Sequence, residues 1–287
     1  MAVLLIGGTG KTAIRIVPFL QDAKIPFLLA SRKGEDGAPP GLPATKFDWL
    51  DSSTFESPFQ HKSLEGKSIS AIYLIAPQVS DPTDAMTPFI DLAVEKYGVK
   101  RFVVMGGGSV EKGGTFVGKV WQHLDDLGVE YCVLRPTWFM ENFTERQHFG
   151  TIKDEGKVYT ACGDGKIPFI GATDIAAVAF HALTDETPPQ TDYSIVGPEL
   201  LTHDEIAAKL SSGLGRDIVN VKLTGDKSAE RYVGLGMPEH YAKFLSFLEV
   251  GAAGGMEDNL NDTVERVTGR PPQKFDDWVQ QNKRAWD

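Results

Sequence analysis

Val3-Leu4-Leu5-Ile6-Gly7-Gly8-Thr9-Gly10-Lys11-Thr12-Ala13 is the stretch that decides the fold of this chain. Four consecutive apolar residues suit a strand buried on both faces, as in a parallel sheet. The glycines follow at once, and Ala13-Ile14-Arg15-Ile16-Val17-Pro18-Phe19-Leu20 then starts a helical pattern. Strand, glycine turn and helix form the opening of a dinucleotide-binding unit, and Gly7, Gly10 and Ala13 fit its spaced fingerprint. Small residues allow a tight turn and let the backbone approach a pyrophosphate. The helix N-terminus then offers free N–H groups and a partial positive charge.

Two rival readings share these residues. Gly10-Lys11-Thr12 imitates the end of a P-loop, which needs a further glycine five positions earlier; Leu5 stands there, inside the strand, so the P-loop fails. The other rival is an ordinary strand–helix turn with no ligand.

Downstream, Ile25 to Ala30 reads as a second strand ending in Ser31-Arg32-Lys33. An acidic residue at this place holds a ribose 2′-hydroxyl in NAD-preferring proteins. A carboxylate repels a 2′-phosphate, whereas a guanidinium pairs with it through two hydrogen bonds. Arg32, with Ser31 as a hydroxyl donor, therefore favours NADP. The alternative for Arg32 is a solvated surface arginine.

Residues 34–43 are a loop rich in glycine and proline, and Ala44 to Asp48 is a short third strand. Asp48-Trp49 at its end is placed to flank an adenine. The fourth strand runs from Ser70 to Pro77, the fifth from Arg101 to Met105 ahead of Gly106-Gly107-Gly108, and the sixth from Tyr131 to Arg135. Helices alternate with them, one starting near Asp81 or Pro82 and one spanning about Thr115 to Leu127. This alternation specifies an α/β fold, a Rossmann-type doubly wound parallel sheet, with ligands at the C-terminal strand edge where strand order reverses.

Beyond Pro136 the rhythm breaks. A helix over Asp174 to Leu183 with Thr173 as N-cap is expected, then a strand at Tyr193 to Val196. Thr202-His203-Asp204-Glu205 opens another helix like a capping box. A late strand is expected over 218–223, and helical segments over 226–250 broken near Met237-Pro238. Without an internal repeat or linker, residues 1–287 read as one composite domain. Its smaller C-terminal substrate-capping region comes mainly from about 138–170 and 190–287, packing beside the sheet to close a pocket.

Composition narrows the partners. A net charge of −10, from 29 basic and 39 acidic residues, and no basic run argue against generic nucleic-acid binding. No apolar run approaches a membrane span. Met1 leads straight into the first strand, and Cys132 and Cys162 form no paired motif, so a reducing, cytoplasmic setting is expected. Histidines at 61, 123, 148, 181, 203 and 240 show no metal-ligand spacing, and no Gly-x-Ser-x-Gly elbow occurs.

Leu134-Arg135-Pro136-Thr137-Trp138-Phe139-Met140-Glu141-Asn142 and Gly163-Asp164-Gly165-Lys166-Ile167-Pro168-Phe169-Ile170 resemble the NmrA-like, atypical short-chain dehydrogenase/reductase family. Phe47-Asp48-Trp49, Gly197 to Leu201 and the opening glycine loop add to the likeness, which runs over nearly the whole chain. Within that family the chain is similar to fungal ergot-alkaloid reductases of the festuclavine and agroclavine dehydrogenase type. By this resemblance, Gly7, Thr9, Gly10, Lys11, Thr12 and Arg32 bind NADP(H) phosphates. Ala76-Pro77, Met105-Gly106-Gly107 and Pro136-Thr137 border the ribose and nicotinamide, while Trp138, Phe139 and Asn142 face the substrate. Read without the family, Trp138 and Phe139 are core aromatics.

One departure bears on the chemistry. The usual family pair is Tyr and Lys four apart, the lysine lowering the tyrosine pKa. Here Lys119 is present, as a catalytic candidate, a ribose ligand or a surface lysine, but Thr115 stands four residues before it. Reducing a ketone produces an alkoxide that needs a proton or an oxyanion hole. Reducing an iminium gives a neutral amine directly. The residues therefore favour an NADPH-dependent reductase of an iminium or C=N bond, and the resemblance implies that this bond lies in a polycyclic indole alkaloid. Trp138, Phe139, Phe143 and Phe169 would supply walls, and Glu141 or Asp164 a charge for the cation. For both acids the plain alternative is structural hydrogen bonding or solvent exposure. An NADP(H)-binding, redox-linked cyclase of a prenylated indole pathway shares the same loop and pocket. An NADP-sensing regulator shares the missing tyrosine and needs no deep aromatic pocket.

Overall fold

The computed structural model describes residues 2–145 and 147–287. β1 (Ala2–Ile6) is buried along its whole length and runs through the glycine turn into α1 (Ala13–Asp22). Then come β2 (Phe27–Ser31), β3 (Ala44–Lys46), β4 (Ile69–Leu74), α2 (Thr83–Glu95), β5 (Arg101–Met105), α3 (Gly118–Asp126) and β6 (Glu130–Pro136). The chain continues through α4 (Asn142–Glu145), α5 (Phe149–Glu155) and β7 (Lys157–Thr160), followed by α6 (Ala172–Thr184) and β8 (Thr191–Ile195). It finishes with α7 (His203–Leu214), β9 (Val219–Lys222), α8 (Gly225–Gly234), α9 (Glu239–Ala253), α10 (Thr263–Thr268) and α11 (Phe275–Asn282).

Two compact units emerge. The first holds the chain through Pro136 together with Ala172–Ile195; the second holds Thr137–Gly171 and Val196–Asp287. In the first, seven strands lie in the order β3-β2-β1-β4-β5-β6-β8, every adjacent pair parallel. Val3 pairs with both Phe27 and Ala71, so the chain winds outward from β1 through β2 to β3 and then returns to β1's other side as β4. That reversal is the switch point at which open α/β sheets take ligands. β1 needs its apolar run because both faces are covered. Leu4, Ile6, Ile72 and Val104 belong to a core with Phe47, Phe55 and Phe89, while α1 packs on α6 with Phe19 stacked 5.8 Å from Phe180.

In the second unit β7 and β9 form a parallel pair, Val158 opposite Asn220, and α11 packs on α7. Thr202 caps α7: its side chain accepts from Glu205 N–H while the Glu205 carboxylate accepts from Thr202 N–H. Met140, Phe143, Phe169, Phe275, Trp278 and Trp286 fill the core of this unit.

Several boundaries differ from the sequence reading. α3 starts at Gly118 rather than near Thr115, because Phe116 adopts a left-handed φ of +57° that cannot continue a helix. Thr173 lies inside the first turn of α6, which begins at Ala172, so it is not the N-cap. β7 falls in a region that sequence left irregular. The segment at 191–195 is the seventh strand of the main sheet, its Tyr193 opposite Leu134. The capping region expected from about 190 onward therefore gives up this strand to the first unit.

Candidate functional site

The loop between β1 and α1 is set by close approaches. Gly7 has φ +73°, and a Cβ on it would lie 3.0 Å from the Ile75 side chain. A Cβ on Gly8 would come within 2.7 Å of Leu29 Cβ, and Gly8 N–H donates to Ala30 O at 3.1 Å. Gly10 N–H closes the turn onto Gly7 O at 2.7 Å. Gly8 is thus as constrained as the fingerprint glycines, and its signal in sequence was the Gly7-Gly8 doublet.

Thr12 occupies the N-cap of α1 without making a side-chain cap. Its Oγ1 instead accepts from the Tyr73 hydroxyl at 2.8 Å, in a buried contact. Desolvation pushes the Tyr73 phenol well above its ordinary value, which keeps it a neutral donor. Accepting this bond turns the Thr12 hydroxyl oxygen toward β4 and leaves its O–H and backbone N–H as donors. What remains for an anion is the uncapped helix start, with Thr9 exposed and Lys11 half-buried beside it. The Lys11 carbonyl accepts from Arg15 Nη1 at 2.7 Å.

At the end of β2, Ser31 Oγ is buried with no hydrogen-bond partner among the described residues. Arg32 next to it is exposed, with no ion-pair partner among the described residues. An unsatisfied buried hydroxyl, an unpaired guanidinium and a side-chain-free glycine cradle fit a phosphorylated dinucleotide.

The remaining cofactor candidates have these places. Asp48 Oδ1 accepts from Leu50 N–H at 3.0 Å, closing a local turn. Trp49 donates its indole N–H to Ile75 O at 2.9 Å and sits edge-on to Phe47 and Phe89 at 4.9 and 5.6 Å. Its role as an adenine flank is therefore reduced to whatever face the aromatic cluster leaves half-exposed. Ala76 and Pro77 are part-exposed immediately past β4. Gly106, past β5, donates its N–H to Leu134 O at 2.8 Å, and a Cβ there would lie 3.2 Å from that same oxygen. Pro136 ends β6 and is buried.

Arg135 was quoted in the motif without a role. Its Nη2 donates to Gly108 O and its Nη1 to Asp192 Oδ2, both at 2.7 Å, so it fixes the triple-glycine loop against β8. Lys119 projects from the first turn of α3 and bonds Asp81 Oδ2 at 2.6 Å, both side chains about half-exposed. The partnership raises the lysine pKa and lowers that of Asp81. Thr115 is exposed and outside α3, so its spacing of four from Lys119 is not one helical turn.

In the second unit, Thr137 Oγ1 donates to Glu257 Oε2 at 2.9 Å. Trp138 and Phe139 lie on an extended segment bridged to Ile170: Ile170 N–H donates to Trp138 O at 3.0 Å, and Met140 N–H to Ile170 O at 2.9 Å. Both aromatics and Asn142 stay part-exposed. Glu141 and Phe169 do not. Glu141 is 4% exposed and accepts from the Trp278 indole N–H at 3.4 Å. Phe169 is 2% exposed, 5.4 Å from Phe143. Both expectations of a substrate-facing side chain, and that for Phe143, are corrected: these groups build the core of the unit. Asp164 is exposed and paired with Lys222 Nζ at 2.6 Å.

Two buried histidines, unassigned by sequence, lie in the same core. His148 stacks on Phe143 at 5.2 Å and His203 meets Phe169 edge-on at 5.4 Å, with 6.2 Å between the imidazoles. Burial draws the His203 pKa down to about 4 and that of His148 well below its ordinary value, so both rings are neutral. Among the described residues no group of three or more His, Cys, Asp and Glu could hold a metal ion. Nor is any helix there long and apolar enough to cross a membrane.

No family model matches the chain. It is 44% identical over 289 residues to festuclavine synthase II of Penicillium roqueforti, covering 100% of both chains. It is 42% identical to agroclavine dehydrogenase of Claviceps fusiformis, over 100% of this chain and 99% of that one. Among solved structures it is similar to Citrobacter sp. triphenylmethane reductase complexed with NADP(H). The TM-score is 0.78 at 19% identity, over 99% of this chain and 100% of that one.

Proposed function

The chain belongs to the NmrA-like short-chain dehydrogenase/reductase family, and within it we propose an NADPH-dependent reductase acting on the iminium carbon of a polycyclic indole alkaloid. The observation that carries this reading is the exposed, non-helical Thr115 in the place of a proton-donating tyrosine, beside a Lys119 already held by Asp81. A ketone substrate would leave an alkoxide with no tyrosine at that position to protonate it. An iminium leaves a neutral amine and asks for none. The names of the festuclavine and agroclavine relatives support the substrate class.

NADPH, when bound, supplies the hydride. The chain's own part is binding and orientation. The Gly7–Gly10 turn and the start of α1 receive the pyrophosphate; Ser31 and Arg32 receive the 2′-phosphate. Ala76, Pro77 and Gly106 border the ribose and nicotinamide at the strand ends, with Pro136 and Thr137. Trp138, Phe139 and Asn142 hold the indole face and exclude water, so that the iminium is attacked rather than hydrolysed.

The test uses NADPH deuterated at the transferable C4 position with tricyclic indole iminium or aldehyde–amine substrates. Deuterium in the product, matched by loss of NADPH absorbance, is the expected outcome. A rearranged product with no net NADPH consumption would replace the reductase by a cyclase.

A further inference from the structure

The loop joining β5 to α3 is held at nearly every residue. Val110 and Val117 are buried in the core of the first unit. Gly113 N–H donates to Gly118 O at 2.8 Å and Gly114 N–H to Glu111 O at 3.0 Å. A Cβ on Gly118 would fall 2.2 Å from Glu111 O, so loop and helix start are in contact. Lys112 bonds Asp125, which also accepts from the Tyr131 hydroxyl at 2.8 Å. At the C-terminal end Gly118 N–H donates to Thr115 O at 3.1 Å, closing a turn with Phe116 and Val117 at its centre.

Phe116 is the anomaly in that turn. Its φ is +57°, while Val117 follows at φ −82° and ψ 5°. Those φ signs are the pattern of a type II′ turn, whose second position glycine favours. A bulky residue with positive φ is strained, and it persists only where its surroundings over-determine it. Burial repays only part of the strain, because the residue is 42% exposed. The backbone conformation gives no reason for phenylalanine here.

Its location supplies one. The loops that follow β4 and β5 lie at the C-terminal edge of the sheet and are tied together by the Asp81–Lys119 pair. Phe116 stands three residues before Lys119, in the turn that leads into α3.

We infer that Phe116 is a specificity-determining residue, whose ring is presented at the strand edge to stack on the planar aromatic part of the substrate; this rests on the indole-alkaloid reading above. A locked backbone under an exposed aromatic restricts where the ring can be placed and so pre-organises the contact. An offset-stacked or edge-to-face aromatic pair discriminates against non-aromatic substrates of equal bulk.

The test compares wild type with Phe116→Gly, Phe116→Leu and Phe116→Trp. Binding of a tricyclic indole amine to the NADP⁺-loaded protein is measured by calorimetry, together with NADPH affinity and melting temperature. Glycine relieves the turn and removes the ring, so stability and affinity should separate. The melting temperature holds or rises, NADPH affinity stays within about twofold, and amine affinity falls about five- to tenfold. Leucine keeps apolar bulk but loses most of that affinity, whereas tryptophan retains it. A Phe116→Gly protein that melts lower and binds the amine as wild type does would make Phe116 structural and overturn the proposal. A parallel loss of NADPH affinity would assign the ring to the cofactor and overturn it equally. Amine binding that depends on Phe116, without deuteride transfer, would sink the reductase reading and leave the stacking role standing.

Discussion

Tyr73 on β4 donates its hydroxyl to Thr12 Oγ1 across 2.8 Å, in a buried bond spanning 61 residues of sequence. It joins the central strand to the start of α1 at the switch point, and so fixes the helix end that faces the glycine turn. Replacing Tyr73 with Phe keeps the ring and removes the bond, leaving Thr12 to find another partner in a buried setting. A loss of about 1–2 kcal/mol is expected in urea unfolding, with a several-fold weaker NADPH affinity. An unchanged unfolding midpoint would show that the bond carries no net stability.

Arg32 follows the unsatisfied Ser31 hydroxyl and has no partner of its own among the described residues. Arg32→Glu turns a phosphate ligand into a phosphate repellent. NADPH affinity should fall about ten- to hundredfold, while NADH affinity changes little. Fluorescence titration with both nucleotides reads the difference directly; equal losses would remove Arg32 from 2′-phosphate recognition.

Thr115 is exposed and outside α3. Thr115→Ala should keep more than half of the wild-type kcat on the iminium substrate, since no proton is asked of it. A loss as large as that of Trp138→Ala would mean that the hydroxyl touches the reacting atoms.

The buried histidines give stability a pH dependence of known sign. Folded His203 titrates at about 4 and burial holds His148 well below its ordinary value, whereas unfolded imidazoles titrate at about 6.5. Between these values the unfolded chain binds more protons, so stability drops as pH falls from about 6.5 toward 4. His203 alone accounts for up to about 3 kcal/mol of that loss. Glu249, whose pKa is raised by burial, acts in the opposite direction as pH falls toward the ordinary glutamate range. His203→Phe isolates the imidazole: urea midpoints at pH 7 and pH 5 should lie closer together in the variant than in wild type. Identical spacing would assign the acid sensitivity elsewhere.

The sheet was readable because its strands are unbroken apolar runs and its turns carry glycine. Residues 3–6, 71–74 and 102–104 have no other stable placement than between two layers. β7 escaped notice because Lys157-Val158-Tyr159-Thr160 is short and alternates between buried and half-buried, a pattern that many loops share. On the cofactor side, glycine spacing and one arginine could be read directly, and they fall at the β1–α1 turn and just past β2. The substrate side was less legible. Glu141 looks like a free carboxylate until Trp278 arrives from 137 residues away, and Phe169 looks like a pocket wall until Phe143 and Phe275 close over it. Phe116 gave no signal, because the sign of φ is not written in side-chain type.

The return of β8 to the main sheet has a consequence for synthesis. A ribosome that has released residues only as far as Pro136 has delivered six of the seven strands, with β6 as a bare edge. The strand that covers it lies more than 50 residues downstream, at Thr191–Ile195. At translation speeds of about 5–20 residues per second, β6 waits for some seconds with its ladder open to any extended chain nearby. Slow translation through residues 137–190 should therefore raise aggregation of nascent chains, and early occupancy of the glycine loop by a dinucleotide would be the natural chaperone.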